Sequence, residues 1–371
     1  MRPAHGLVLG KFYPPHAGHH LLVRTAARAC EQVTVLALAS SLESLSLALR
    51  VAWLREVHAP EPNVTVVGGM DEHPVDYQDP YVWDLHMAVF RDLLRAAGRP
   101  PLDAVFTSEA YGNELARRFG ARHCPVDPER TLAPVSGSAV RRDPASQWPH
   151  LAPPVRAWLA RRVVIVGAES TGKTTLAHEL RDSLAARGGA FAQTRWVPEY
   201  GRDYTLEKLA LARAQAAWRG APAPGMADLE WPTSDFAAIA REQNALEARE
   251  ARVGGPVLVC DTDAFATAIW HERYRNARSA EVEALGDPPP SLYLVTHHDD
   301  VPFQQDGIRD GEHIRAWMTG RFVERLRGTR HRVELLRGAR AARLERALAL
   351  VDAWLPGALA EVFVDAPPPL G

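Results

Sequence analysis

A glycine-rich segment near the middle of the chain constrains its fold more than any other feature. Residues 167–174, GAESTGKT, fit the pattern G-x-x-x-x-G-K-[ST]. The apolar run VVIV (163–166) precedes the segment, and the helical pattern TLAHELRDSL (175–184) follows it. In such a loop, successive backbone N–H groups surround a phosphate at a helix N-terminus, where the helix dipole adds partial positive charge. The sequence therefore predicts a P-loop that binds a nucleoside triphosphate.

The side chains of this loop are expected to divide between phosphate and metal. Lys173 is expected to reach the β- and γ-phosphates of ATP, and the Thr174 hydroxyl to ligate Mg²⁺. The remaining predicted ATP contacts in this half are Gly167, Glu169, Ser170, Thr171, Gly172 and Thr175.

Charged residues further along the chain are candidates for the chemistry of phosphoryl transfer. Asp261 ends the apolar run LVCD, where a carboxylate either orients Mg²⁺ through water or caps the next helix, and the upstream P-loop favours the metal role. Glu199 follows TRWVP (194–198), a predicted strand, and is a candidate base for an attacking hydroxyl, the alternative being an ion pair with Arg202. Arg309, in the segment DGIR, either clamps the transferring phosphoryl group or is a solvated surface residue.

A second unusual segment, GKFYPPHAGHH, lies at residues 10–20 between a short apolar strand and a predicted helix. His16 and His19 are three residues apart, so they share one helix face. A zinc site needs three or four ligands, and no further ligand follows at helical spacing. Surface histidines are the plain alternative, but the helix N-terminus, Lys11 and the small residue Gly10 favour a bound phosphate.

A second phosphate-binding segment is predicted at residues 136–141, SGSAVR. Ser136, Gly137 and Ser138 offer hydroxyls and a turn at a helix start, and Arg141 adds a positive charge. Two phosphate-binding segments in one α/β domain suggest attack on the α-phosphate of ATP with pyrophosphate as leaving group. That reaction needs positioning and charge neutralisation rather than a protein nucleophile.

Apolar strands alternate with helical patterns in both halves of the chain, which predicts an α/β protein with parallel sheets. Strands are predicted at 7–9, 33–39, 64–67, 104–107, 163–166, 258–261 and 292–296, with helices at 17–30 and 83–96. Residues 203–232 are predicted to form a helix and a mobile loop, broken at APAPG (221–225). We expect two domains at 1–145 and 162–355, a proline-rich linker at 146–161 and a tail at 356–371.

The combination of motifs resembles one known family. GKFYPPHAGH resembles the GxFxPxHxGH signature of the nucleotidyltransferase superfamily, and SGSAVR resembles its SGTxxR motif. Their order and spacing relative to GAESTGKTT are similar to the NadR family, over roughly residues 6–350. Smaller matches are FTSEAYG (106–112), VDPERTLAPVSGSAVR (126–141), VPEYGRDY (197–204), DTDAFATAIW (261–270) and DVPFQQDGIRD (300–310).

The resemblance implies a Rossmann-like nucleotidyltransferase domain followed by a P-loop kinase domain. It implies two activities: phosphorylation of ribosylnicotinamide to nicotinamide mononucleotide (NMN), and adenylyl transfer from ATP to NMN giving NAD and pyrophosphate. His16 and His19 would then contact the ATP phosphates, with Phe12 among the ATP contacts. Trp83 is expected to stack on the nicotinamide ring or to be a core tryptophan, and Trp270 poses the same choice in the kinase half. The remaining predicted substrate contacts are Tyr200, Arg202 and Asp306.

Two other functions also accommodate the motifs. A fused adenylyltransferase and kinase acting on coenzyme A precursors would join the same signatures, although VPEYGR and DTDAFATAIW resemble the nicotinamide family. A nucleotide-sensing regulator would bind ATP or NAD with negligible turnover, against which stand the intact Lys173, His16 and His19.

Composition limits the partners and the compartment. A formal net charge of −2 offers no excess basic charge for nucleic acid, and no apolar run is long enough for a membrane span. Three dispersed cysteines suit a reducing cytoplasm. Some NadR members begin with a DNA-binding helix-turn-helix, which we do not expect here because the first strand starts at residue 7. The sequence leaves open whether the protein forms a homo-oligomer.

Overall fold

Two separate parallel β-sheets of five strands each form the framework of the chain, so the predicted α/β class with parallel sheets is confirmed. The structure is a computed structural model that describes residues 2–299, 301–305 and 311–363. The chain divides into two compact units. The first runs to Trp158 and resumes at Leu359, and the second is Leu159–Ala358.

The first unit is built on a sheet with strand order β3-β2-β1-β4-β5, all neighbours parallel. Its strands are β1 (His5–Gly10), β2 (Gln32–Ala39), β3 (Val64–Met70), β4 (Ala104–Thr107) and β5 (Arg122–Pro125). Its helices are α1 (Ala17–Ala29), α2 (Leu47–Val57), α3 (Pro80–Ala96), α4 (Gly112–Phe119), α5 (Gly137–Arg142) and α6 (Pro153–Leu159), the last ending at the division between the units.

Apolar runs explain why β1 and β2 are central. Leu7 and Val8 of β1 and Val33 of β2 are fully buried, as expected for strands covered by helices on both faces. Helix α1 buries the predicted positions Leu22 and Ala26 against this sheet. The strand order reverses between β1 and β4, and in open parallel sheets ligands bind outside the carboxyl ends of the strands at such a point.

The second unit has strand order β10-β9-β6-β8-β7, again all parallel. Its strands are β6 (Arg161–Gly167), β7 (Arg195–Val197), β8 (Val257–Asp261), β9 (Leu292–Thr296) and β10 (Arg332–Leu336). Its helices are α7 (Lys173–Ala185), α8 (Tyr200–Trp218), α9 (Thr233–Val253), α10 (Ala264–Arg275), α11 (Ala280–Leu285), α12 (Arg315–Leu326) and α13 (Arg340–Ala360). Strand β6, which leads into the P-loop, is the central strand.

Two boundary regions differ from the sequence expectation. The predicted linker, 146–161, contains a 3-10 turn (Trp148–His150) and α6, because Trp148 and Val155 are buried in a packed core rather than left in a solvated connection. Helix α13 extends to Ala360 and buries Leu359, so the chain is helical beyond the predicted start of the tail at 356. Residues 364–371 lie outside the described part of the chain.

Within residues 2–299, 301–305 and 311–363, no helix combines the length and the apolar character that crossing a membrane requires.

Candidate active sites

In the first unit, a cavity of about 520 Å³ opens at the carboxyl ends of β1 and β4. The residues of the HAGH motif reach it from the start of α1, and those of the SGS motif from the start of α5. Of the predicted residues, Gly10, Lys11, His16, His19, Trp83, Gly137 and Ser138 line this cavity.

The two motif histidines stack on each other. Their ring centroids are 3.7 Å apart with an interplanar angle of 28°. The backbone N–H of His16 donates to Nδ1 of His19 at 3.3 Å, which assigns the proton of the His19 ring to Nε2. Nδ1 of His16 is buried without a hydrogen-bond partner. The pair therefore offers ring N–H and N groups that are not consumed by the protein itself.

Both histidines are held in their neutral form. Burial, followed by the neighbouring Arg130 and His150, lowers the pKa of His16 to about 3. Burial and the neighbouring His16 and His20 lower the pKa of His19 well below its usual value. A neutral imidazole can still donate an N–H hydrogen bond to a phosphate oxygen, so the predicted role of the pair does not require a buried cation.

Lys11 is held at the cavity by an acidic neighbour. Its Nζ lies 2.9 Å from Oε1 of Glu43, whose other oxygen lies 2.8 Å from Nη2 of the fully buried Arg50. These two cations lower the pKa of the buried Glu43 carboxyl against the opposing effect of burial. The Lys11 side chain is still half exposed, so its ammonium group is accessible to a phosphate.

Three predicted ligands of this half lie behind the cavity wall. Arg141 donates to the carbonyl of Tyr13 at 2.9 Å and to Oγ of Ser138 at 3.3 Å. Ser136 caps α5, its Oγ accepting from the Ala139 N–H at 3.1 Å. Phe12 packs on His19 with ring centroids 4.8 Å apart. Their predicted contacts with ATP stay predictions, and here they support the residues that line the cavity.

Aromatic rings line the far end of the same cavity. Trp83 is buried, and its Nε1–H donates to the carbonyl of Tyr77 at 3.2 Å. Tyr77 stacks on Tyr111 with centroids 5.2 Å apart and 12° between the planes. Trp83 is a core residue, as one alternative expected, and it also lines the cavity; its stacking on a nicotinamide ring stays a prediction. The sequence singled out the segment 106–112, which contains Tyr111, but did not indicate that Tyr77 and Tyr111 line this cavity.

The second unit holds a cavity of about 550 Å³ around the P-loop. The loop connects β6 to α7 as predicted, and its conformation requires glycine. Gly167 has φ +153°, and a Cβ there would lie 2.4 Å from Oγ1 of Thr296. Gly172 has φ +82° at the start of α7. Of the predicted P-loop residues, Glu169, Ser170, Thr171, Gly172, Lys173, Thr174 and Thr175 line the cavity.

Thr174 and Asp261 meet at the end of β8. Oγ1 of Thr174 donates to Oδ2 of Asp261 at 2.5 Å, while Oδ1 of Asp261 is buried without a hydrogen-bond partner. Burial raises the pKa of Asp261, and the charge of Lys173 opposes that effect. A hydroxyl and a buried carboxylate with an unused oxygen suit the hard-oxygen preference of Mg²⁺. The next helix is instead capped by Asp263, whose Oδ1 accepts a hydrogen bond from the Ala266 N–H at the start of α10.

Other predicted residues of this half are distributed around the cavity. Glu199 is the N-cap residue of α8 and lines the cavity together with Arg202 and Trp270. Tyr200 lies beside them without lining it, its backbone N–H donating to Oε1 of Gln243 at 3.0 Å. Asp306 and Arg309 lie outside the described residues.

An aromatic group forms one wall of the P-loop cavity. Trp231 and Tyr274 have ring centroids 5.5 Å apart, and Trp270 and Tyr274 are stacked at 6.4 Å. The guanidinium carbon of Arg273 lies 4.7 Å from the Tyr274 centroid. Sequence reasoning found only Trp270, because Trp231 follows the Pro/Gly break and Tyr274 lies four residues along a helix whose exposed face was unknown.

Comparison with known proteins finds relatives that match most of the chain. A family model described as "AAA domain" matches residues 162–343. The "Trifunctional NAD biosynthesis/regulator protein NadR" of Escherichia coli (strain K12) is 26% identical over 320 residues, covering 82% of this chain and 71% of that protein. The chain is thus similar to a NadR protein along most of its length. The protein of the same description from Salmonella typhimurium is 25% identical over 319 residues, with the same coverage.

Solved structures of NadR proteins share the fold. One, described as a NadR protein in complex with NR, is 21% identical with a TM-score of 0.67 and covers 95% of this chain and 96% of its own. Another, a NadR protein in complex with NAD and AMP-PNP, is 21% identical with a TM-score of 0.66 and covers 94% and 96%. The resemblance predicted from the motifs is therefore confirmed.

Below the active-site histidines, a buried histidine pair makes the first unit sensitive to acid. Nδ1 of His20 lies 3.0 Å from Nε2 of His58, and burial, followed by the neighbouring His58, Arg24 and His16, lowers the pKa of His20 to about 3. An unfolded chain binds a proton at His20 near pH 6.5, whereas the folded chain does not. The contribution of His20 to the free energy of unfolding is therefore fully present above pH 6.5 and decreases as the pH falls toward 3.

Between pH 7.5 and 5.0, we expect the free energy of unfolding to fall by about 2 kcal/mol less in the His20→Asn variant than in the wild type. The difference accumulates below pH 6.5, at about 1.4 kcal/mol per pH unit. Hydrogen exchange of the β1 and β2 amides measures this for the first unit alone. His313→Asn, at an exposed histidine of the other unit, is the matched control. Equal pH dependence in His20→Asn and the wild type would contradict the argument.

Proposed function

We propose that the chain is a bifunctional enzyme of NAD salvage. Its second domain phosphorylates ribosylnicotinamide to NMN with ATP, and its first domain transfers the adenylyl group of a second ATP to NMN, giving NAD and pyrophosphate. One observation carries the proposal: a single match to proteins described as NAD biosynthesis proteins runs through both halves, and each half has its own nucleotide motif at its own cavity. The proposed domain limits are 1–145 and 162–355.

In the kinase half, the P-loop backbone and Lys173 hold the β- and γ-phosphates. Thr174 and Asp261 are the residues that would hold Mg²⁺, which neutralises charge on the phosphates when bound. Glu199 accepts the proton of the attacking 5′-hydroxyl, and Arg202 and Tyr200 lie beside it for substrate contact. Asp306 and Arg309 are proposed to act from the loop outside the described residues, Arg309 on the transferring phosphoryl group.

In the adenylyltransferase half, the phosphate of NMN attacks the α-phosphorus of ATP and pyrophosphate leaves. The protein supplies no nucleophile. His16, His19 and Lys11 hold the β- and γ-phosphates, and the N-termini of α1 and α5 direct backbone N–H groups toward the same region. Arg141 fixes the loop at Tyr13 and Ser138 and is proposed to reach the phosphates when ATP is bound.

Both cavities suit a nicotinamide ring. The ring of ribosylnicotinamide is a flat pyridinium cation, which aromatic faces bind through stacking and cation–π attraction. Trp83 with Tyr77 and Tyr111 provides such faces in the first cavity, and Trp270 with Tyr274 in the second. The NadR structures in complex with NR and with NAD and AMP-PNP support ligands of this chemistry.

Mass spectrometry of the products formed from ribosylnicotinamide, ATP and Mg²⁺ tests the proposal. We expect NMN first, then NAD with pyrophosphate. Turnover only with dephospho-coenzyme A would establish the coenzyme A alternative, which the description of the relatives as NAD biosynthesis proteins already disfavours. Binding of ATP without any product would establish the sensing alternative.

The Glu199→Gln variant should separate chemistry from binding. Loss of the base is expected to lower kcat of the kinase about 10²- to 10⁴-fold while KM for ATP changes less than about threefold, since the amide keeps the shape but cannot take the proton. Steady-state kinetics with varied ATP and ribosylnicotinamide measure both constants. Glu207→Gln, at an exposed glutamate on the same helix, is the control. A change confined to KM would show that Glu199 binds substrate instead.

The proposed setting is the cytoplasm, with small molecules as partners and no nucleic acid. The net charge of −2 supports the last point, because affinity for DNA comes largely from neutralising phosphates with excess basic residues.

A further inference from the structure

Three side chains that the proposed reactions do not use converge in the first unit. Asp71 directly follows β3, His73 lies two residues later, and His86 lies on α3. Oδ1 of Asp71 is 2.9 Å from Nδ1 of His73, and Oδ2 of Asp71 is 2.5 Å from Nδ1 of His86. One ligand atom from each residue lies within 4.8 Å of the others. We call these residues the Asp71 cluster.

The Asp71 cluster is held in place by contacts behind it. The Asp71 backbone N–H donates to the carbonyl of Ala39 at 2.9 Å, and its side chain is only 7% exposed. Nε2 of His86 lies 3.0 Å from the carbonyl of Pro74. This contact directs Nδ1 of His86 into the cluster, and an N–H bond to a backbone carbonyl is the usual outer-shell support of a metal-bound histidine.

The donor set selects a class of ion. Two imidazole nitrogens and one carboxylate oxygen match the ligands of Zn²⁺ and similar divalent transition metals, whereas Mg²⁺ prefers oxygen alone. With bonds of about 2.0–2.2 Å in a tetrahedron, neighbouring ligand atoms stand about 3.3–3.5 Å apart. The carboxylate oxygens therefore need to move away from the two nitrogens by about 1 Å or less for an ion to enter.

We propose that the Asp71 cluster binds one divalent transition-metal ion of the Zn²⁺ class through Asp71, His73 and His86. All three residues line the first cavity, so the remaining coordination position faces the space beside Tyr77 and Trp83. A water molecule or a carbonyl oxygen of a bound ligand fills that position. The metal binding does not depend on the proposed adenylyl transfer.

A second group of the same composition exists in the described part of the chain. His297, His298 and Asp299 are consecutive residues of the second unit, and the side chain of Asp299 is 59% exposed. Nδ1 of His298 is engaged with Oγ1 of Thr319 at 3.0 Å. The Asp71 cluster is favoured because it is less exposed, joins two elements and faces a cavity.

Titration with Co²⁺ tests the proposal on the full chain without ATP or Mg²⁺. We expect one equivalent to bind, with the visible absorption of tetrahedral or five-coordinate Co²⁺, and Zn²⁺ to displace it. Because even loss of an outer-shell partner costs 10- to 100-fold in metal affinity, removing a ligand in His73→Ala or His86→Gln should weaken binding at least about 100-fold. His73 is one-third exposed, so its replacement leaves the fold intact, as thermal unfolding without metal will check.

Two further variants locate the ion. His298→Ala and His19→Ala should each keep the full Co²⁺ absorption and stoichiometry. The proposal is overturned if binding is lost in either of these, if it survives in His73→Ala and His86→Gln, or if the wild type binds no stoichiometric Co²⁺. In the last case the Asp71 cluster is a hydrogen-bonded network and nothing more.

Discussion

Replacement of Lys173 by alanine is expected to lower phosphorylation of ribosylnicotinamide at least about 10³-fold, because the ammonium group neutralises charge that develops on the transferred phosphate. In the structure Nζ of Lys173 lies 3.0 Å from the carbonyl of Ala168, within the P-loop itself. Among the described residues that line the P-loop cavity, Lys173 is the only lysine. Adenylation of supplied NMN should change less than twofold, since its cavity lies in the other unit.

The measurement is product formation by each activity in the same preparation. Lys173→Met keeps most of the length of the side chain without the charge and should lose as much kinase activity as Lys173→Ala. Asp182→Asn, at an exposed position of α7 outside the cavity, should behave like the wild type. If a folded Lys173 variant lost both activities, the assignment of one reaction to each domain would be wrong.

Replacement of His19 by alanine is expected to have the opposite effect. Adenylyl transfer should fall about 10²- to 10³-fold, the usual cost of removing a donor that stabilises transition-state charge. The stacked His16 loses its neighbour, and the Nε2–H that the geometry directs away from His16 is removed. Phosphorylation of ribosylnicotinamide should be unchanged.

A graded pair of variants distinguishes a phosphate contact from a structural role. His19→Gln retains an N–H donor near the position of Nε2 and should recover part of the rate that His19→Ala loses. Arg28→Ala, in the last turn of the same helix and exposed, is the control. If His19→Gln and His19→Ala were equally inactive and both lowered the melting temperature, the histidine would serve the fold rather than the phosphates.

The sequence predicted the motifs well where a local pattern determines the structure. The P-loop and the HAGH segment each join a strand to a helix. The apolar periodicity and the glycine positions predict both where the strand ends and where the helix begins. Asp261 was predicted because it ends a buried strand whose neighbours in a parallel sheet share one edge. The order of both sheets then brings these ends together.

The other sides of the cavities depend on tertiary packing and could not be predicted. Tyr77 lies in a loop, and its contact with Tyr111 requires α3 and α4 to be placed on the same sheet edge. Asp71 and His86 are 15 residues apart and meet only because α3 packs over the end of β3. Strands β5 and β10 were missed because they are short edge strands with charged residues, such as Arg122 and Glu334, in place of an apolar run.

The return of the chain to the first unit after α13 affects any attempt to divide the protein. Ser44 donates from Oγ to the carbonyl of Val362, and the ring of Phe363 packs edge-on against Tyr13, whose carbonyl holds Arg141. Cleavage after Trp158 would strip these contacts from the amino-terminal fragment. An amino-terminal fragment that keeps these contacts needs residues 359–363 joined to its end, so separating the two halves genetically takes a rejoined segment as well as a cut.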